Sequence, residues 1–143
     1  MTKLVVRSSV VTVVLAALIL LSAPAKAQSL TSGITVNVPF DFYIGSQKMP
    51  AGQYSVKHQS DPSLLRFSDG NGHSMVAISN AAYINSGKLN GELIFNRYGE
   101  QYFLSMVHWP DTPAGRELLK SSVETQLARN SSAEKVIATT SNR

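Results

Sequence analysis

Three histidines, His58, His73 and His108, are the side chains of this 143-residue chain best suited to acid–base work or metal ligation. Imidazole titrates near neutrality and binds transition metals. Each falls on a separate run with β-type patterning, and no His-Glu-x-x-His pattern places two of them on one helical face. The chain has no cysteine and no Gly-x-Ser-x-Gly elbow, so the familiar arrangements for thiol or serine nucleophiles are missing. Paired carboxylates of the glycosidase kind would have to come from Asp41, Asp61, Asp69, Glu92, Glu100 or Glu117, which fall at turns or at outward-facing positions. The Gly70-Asn71-Gly72 segment leads into a β-type run without the Lys-Ser/Thr pair and helix that a phosphate loop needs. The sequence therefore supplies no catalytic, cofactor-binding or metal residue. What it does supply is a set of aromatic and cationic side chains that could form a platform for a glycan or peptide. The candidates for ligand contact are Arg97, Tyr98, Tyr102, His108 and Trp109.

All five belong to one stretch, LIFNRYGEQYFLSMVHW, from Leu93 to Trp109. With Gly99 and Glu100 as a two-residue loop, Gly first as a type II′ turn requires, Tyr98 pairs with Gln101, Arg97 with Tyr102, Phe95 with Leu104 and Leu93 with Met106. Arg97 then lies over Tyr102 as a cation–π pair. One face of the ribbon carries Leu93, Phe95, Leu104 and Met106. The other carries Ile94, Asn96, Phe103, Ser105, Val107 and Trp109. A ribbon apolar on both sides belongs in the middle of a packed sheet, covered on each face. Ligand contact is then expected at its two ends, the tip at Arg97, Tyr98 and Tyr102 and the far end at His108 and Trp109.

The elements that hold this ribbon are also mostly β. Ile34 to Phe42 alternates apolar and polar residues, a strand with one buried face, and Pro39 places it at a sheet edge or a bulge. Ile44 to Pro50 reads as a loop and Gln53 to Gln59 as a strand with Tyr54, Val56 and His58 on one side. Leu64 to Phe67 and His73 to Ser79 flank the turn-rich Asp69-Gly70-Asn71-Gly72 as a hairpin. Asn80 to Asn90 reads as a helical turn or a loose strand followed by a polar loop. Pro110 to Gly115 forms a stiff connector, and Ser121 and Glu124, at capping-box spacing, start a short amphipathic helix over 121–129 with Val123 and Leu127 on one side. Residues 130–143 are a polar connector, with either a last strand at 136–140 or a frayed tail. The expected fold is all-β, a small antiparallel sandwich or barrel of six to seven strands with one short C-terminal helix.

The first 27 residues have the form of a signal peptide: Lys3 and Arg7, an apolar core from Val10 to Leu21 broken only by Thr12, and Ala25-Lys26-Ala27 before the cut. Residues 28–32 follow as a polar leader, and 33–129 as one β-rich domain. A core of that length is too short to span a bilayer, and no membrane span is expected after cleavage. Beyond residue 27 the chain carries ten basic and nine acidic residues, a net charge of +1, and the basic residues are scattered. That pattern argues against nucleic acid as a partner.

Three segments carry a resemblance: VNVPFDFYIG with MPAGQYSV, then LIFNRYGEQYFLSMVHW, then GRELLKSSVETQLAR. They resemble an uncharacterised family of short exported proteins abundant in acidobacteria. Its members share a Val-Pro-Phe-x-Phe start, a Leu-Pro-Ala-Gly-x-Tyr turn, an Arg-Tyr-Gly hairpin and a Gly-Arg-Glu-Leu lead into a helix. Met49 stands where that pattern usually has Leu, and Leu119 where Pro is common. The resemblance implies export and a single β-domain, and it transfers no site residue. The expected function is that of an exported, periplasmic or extracellular non-enzymatic domain with an envelope component, glycan or protein as partner. The alternatives are a small hydrolase or isomerase whose site assembles across strands, and a barrel that carries an apolar ligand.

Overall fold

The computed structural model describes residues 33–83 and 90–140. The segments read as a signal peptide (1–27) and a polar leader (28–32), the polar part of the 80–90 segment at 84–89 and the last three residues lie outside the described residues. In chain order the elements are β1 (Gly33–Val38), β2 (Phe42–Ile44), β3 (Gln47–Met49), β4 (Gly52–His58), β5 (Leu64–Asp69), β6 (Ser74–Tyr83), β7 (Glu92–Tyr98), β8 (Gln101–His108), β9 (Ala114–Leu118), α1 (Ser122–Asn130) and β10 (Glu134–Thr139). Among the described residues the fold is all-β with one short C-terminal helix, and the strands number ten rather than six to seven. The excess comes from one alternating run that divides and from segments with little alternation to read. The run from Ile34 to Phe42 divides at Pro39, which cannot donate to a ladder, and the expected loop after it is a tight hairpin turning at Gly45, φ +60°. The residues around Gly115 form β9 instead of a connector, because their backbone pairs with both β6 and β8.

Neighbouring strands run β1-β4-β5-β6-β9-β8-β2-β3, with β7 on the other side of β8 and β10 beyond β7. All pairings are antiparallel except a single parallel bridge, Tyr43 to Phe103, that ties β2 to β8. The ten-residue β6 is the corner of the sheet. Its first half, Ser74 to Ile78, pairs with β5, and its second half, Ser79 to Tyr83, pairs with β9. A strand that changes partners in this way folds one sheet over on itself. The inner faces meet in a core of Val36, Val38, Phe42, Tyr54, Val56, Phe67, Phe95, Leu104, Val107 and Trp109. Edge-on aromatic contacts, Phe42 to Tyr54 at 5.1 Å and Phe42 to Phe95 at 5.3 Å, fill it.

The ribbon β7–β8 turns at Gly99, φ +61°, with the expected pairs from Tyr98–Gln101 to Phe95–Leu104. Beyond that point the register shifts by one, so that Ile94 pairs with Met106 and Leu93 with Val107, not with Met106. Ser105 is the extra residue, and its hydroxyl donates to the Ile94 carbonyl at 3.0 Å. The bulge turns Val107 into the core and Met106 away from it. Strict alternation cannot foresee this.

β10 forms, from Glu134 to Thr139, and pairs along the whole of β7, which overturns the frayed-tail alternative. Val136 faces Phe95 across the ladder, and Ala138 is buried. α1 starts at Ser121, whose Oγ accepts the Glu124 N–H at 3.1 Å. Its docked side is not the apolar pair that the spacing suggested. Val123 is exposed, while Glu124 is 3 % exposed and accepts a hydrogen bond from Asn96 Nδ2 at 2.7 Å. Lys135 Nζ donates to Asn96 Oδ1 at 2.6 Å, so one amide links the helix, the ribbon and β10. A buried amide left without both partners would cost more than an apolar contact gains, so this link fixes where the helix sits.

Candidate functional site

The tip and the far end of the ribbon are built differently. At the tip, Arg97 Nε donates to the Gly99 carbonyl at 2.8 Å, and its guanidinium lies 3.4 Å from Glu134 and 5.5 Å from the Tyr102 ring centre, the expected cation–π contact. Tyr102 stacks on Phe40 at 4.0 Å. Tyr98 is buried, edge-on to Phe103, and forms one wall of an open polar cleft of about 540 Å³ bordered by Lys120 and Arg129. Six and seven residues beyond Tyr102 along a strand rising about 3.3 Å per residue, His108 and Trp109 are far from this tip. His108 is fully buried and donates from Nε2 to the Thr112 carbonyl at 2.7 Å, so its role is to hold the turn into β9.

Trp109 meets a residue that the ribbon alone could not reveal. The His58 ring of β4 stacks on it at 4.2 Å and 23°. Thr112, Gly115 and Arg116 complete a recess of about 90 Å³, large enough for a very small ligand. Burial holds His58 below its ordinary value of 6.5; the Pro62 carbonyl acts against that and the charge of Arg116 adds to it. Arg116 is itself engaged, donating to the Ser79 carbonyl at 2.7 Å and to Ser79 Oγ at 3.1 Å.

The three turn aspartates are structural. Asp41 takes the Ala51 N–H and an ion pair with Lys48, Asp61 takes the Ser63 N–H and hydroxyl, and Asp69 takes the backbone N–H of Asn71 and His73. The Lys48, Ser63 and His73 side chains respectively are the main reason each carboxyl sits below the usual 3.8. His73 is thereby placed 2.9 Å from Asp69, on the exposed side of the β5–β6 turn. Among the described residues no group of three or more His, Asp or Glu side chains could hold a metal ion.

An apolar recess lies elsewhere, where β6 changes partners. β9 stops pairing with β6 at Leu118, and the edge of β8 beyond Met106 is taken by β2. The hairpin β2–β3 therefore stands beside the first half of β6 without pairing to it. The seam between them is a groove of about 320 Å³ walled by Ile44, Gln47, Met75, Val76, Ile78 and Leu119. Val76, Ile78 and Leu119 are 45 %, 60 % and 54 % exposed. Isolated exposed apolar side chains are ordinary, but these three line one recess and so lie together on the surface. The signal for it was present in the run Met75-Val76-Ala77-Ile78, apolar at successive positions like the ribbon itself. Comparison with family models, with curated proteins and with solved structures yields no match for the chain.

Proposed function

We propose that the protein is an exported binding domain of the bacterial envelope or extracellular space, and that the apolar groove between β3 and β6 is its contact surface. The observation that carries this reading is the row Val76, Ile78 and Leu119, exposed at the rim of a recess whose floor includes Met75 and Ala77. Export rests on the signal-peptide pattern of the first 27 residues. The fully buried rings of Phe42, Tyr54, Phe67 and Phe95 occupy the interior where a carrier would need a lumen, which favours contact at the surface over transport of an apolar ligand.

The test is retention of the mature protein on washed envelope fractions, comparing the wild type with Ile78→Asp. At least tenfold weaker retention of the variant, with unchanged thermal stability, is expected. Prior protease treatment of the fraction should abolish retention if the partner is a protein. Equal retention of both proteins would overturn the groove as contact surface, and recovery of the wild type from the cytoplasm of its host would overturn export.

A further inference from the structure

The groove exposes backbone as well as side chains, and the direction of those backbone groups can be worked out. The Ser79 N–H donates to the Ser63 carbonyl at 2.8 Å, and the Asp69 N–H to the His73 carbonyl at 3.0 Å. In the antiparallel register of β5 and β6, hydrogen-bonded positions alternate, so Met75 and Ala77 turn their N–H and C=O toward β5. Val76 and Ile78 must then turn theirs the other way, into the seam. No described strand pairs with Val76 there, and β3 pairs with β2 alone; the Leu118–Ser79 pair that ends β9 engages the Ile78 carbonyl through Leu119, so Ile78 offers its N–H to the seam. Exposed edges are ordinarily blunted by a charge, a proline or a bulge. This edge carries Val76 and Ile78, both β-branched, and its groove is walled without a charged residue.

We propose that the seam receives one extended, uncharged apolar segment of a partner protein, which adds as a strand to Val76 and Ile78. This rests on the binding role argued above and names the form of the ligand. Three features select that occupant. Backbone groups spaced along an apolar recess match the repeat of an extended apolar chain, whereas a lipid tail offers them no hydrogen-bonding group and a glycan brings hydroxyls that the apolar walls would leave unpaired. The free run, Ser74 to Ile78, is five residues, about 17 Å at the rise of a strand. Across the seam from β6 stand Ile44, Gly45 and Gln47, uncharged like the rest of the lining, which suits an apolar and uncharged segment. Residues of the segment would alternate between the inner floor at Met75 and Ala77 and the outer rim at Val76, Ile78 and Leu119, so both its faces are apolar.

The test uses the full protein and a capped pentapeptide, Val-Ile-Ala-Val-Thr, with a second version N-methylated at alternate amides. Methylation keeps the side chains and removes the ladder donors. The expected result is binding of the first peptide, slowed hydrogen exchange at the Val76 and Ile78 amides, and at least tenfold weaker binding of the methylated version. Val76→Pro should weaken binding as much while leaving the melting temperature nearly unchanged, since the lost N–H belongs to no existing ladder bond. Should that variant fail to fold, the methylated peptide still decides the matter on the wild type. Equal affinity for both peptides, no binding of either, or self-association of the free protein that buries Val76 and Ile78 would overturn strand addition. Envelope retention that Ile78→Asp abolishes would survive such a result, so the two readings fail separately.

Discussion

The β7–β8 ribbon and the β5–β6 hairpin both place apolar side chains on two faces, and both turn one face into the common core. Their outer faces part company. On the ribbon, Phe103 lies under Tyr43 at 5.0 Å, Tyr98 is buried, and Asn96 is tied to Glu124 of α1 and Lys135 of β10. On the hairpin, Val76 and Ile78 are covered by no described element and stay exposed. Similar patterning thus yields a structural centre in one place and an open surface in the other. What differs is not the strand but what the chain brings back to cover it.

The comparison breaks most visibly at Phe103. Its ring is 1 % exposed on the ribbon's outer face, so Phe103→Ala should cost about 3 to 5 kcal/mol, measured by urea denaturation. A loss below about 1 kcal/mol would mean that the outer face is not packed. Glu124→Ala comes next. It strips the buried Asn96 amide of an acceptor and frees α1, with an expected loss of about 2 to 3 kcal/mol and faster amide exchange in 122–130. Gly99→Val tests the turn that sets the ribbon's register, where φ is +61°, and should cost about 1 to 3 kcal/mol.

A smaller effect is expected from pH. Folding holds His58 below 6.5, so the unfolded chain takes up a proton more readily than the folded one. The stability it contributes is complete above 6.5 and is lost as pH falls below that value. The melting temperature should therefore drop between about pH 7.5 and 5.5, above the range where the turn aspartates titrate, and the drop should shrink in His58→Phe. Smallest of all is Ile78→Ser, expected within about 0.5 kcal/mol of wild type, since the side chain is 60 % exposed. A large loss there would show that the hairpin's outer face is covered like the ribbon's.

Local residues settled much of this protein in advance. The period-two runs at Ile34 to Val38 and Gln53 to His58, the Gly99 turn, the Ser121 cap and the two-sided ribbon are each dictated by side chains and φ preferences within a few positions. The five candidate contacts were partly legible: Arg97 and Tyr102 do meet, and Trp109 does form a recess, but its partners His58 and Arg116 come from strands distant in sequence. β9 was not legible, because Ala114 to Leu118 has few apolar residues to alternate and becomes a strand only between β6 and β8. The one-residue slip at Ser105 was hidden for a related reason, since a bulge depends on which way the partner strand must turn.

Sequence by itself determined the alternating strands, the Gly99 turn and most of the apolar faces, since these follow from conformational preference and local spacing. Tertiary structure alone decided which of those faces was covered. The return of α1 and β10 closes the ribbon, while the early end of β9 at Leu118 leaves the edge of β6 open, and coverage of that kind depends on where the rest of the chain is able to go.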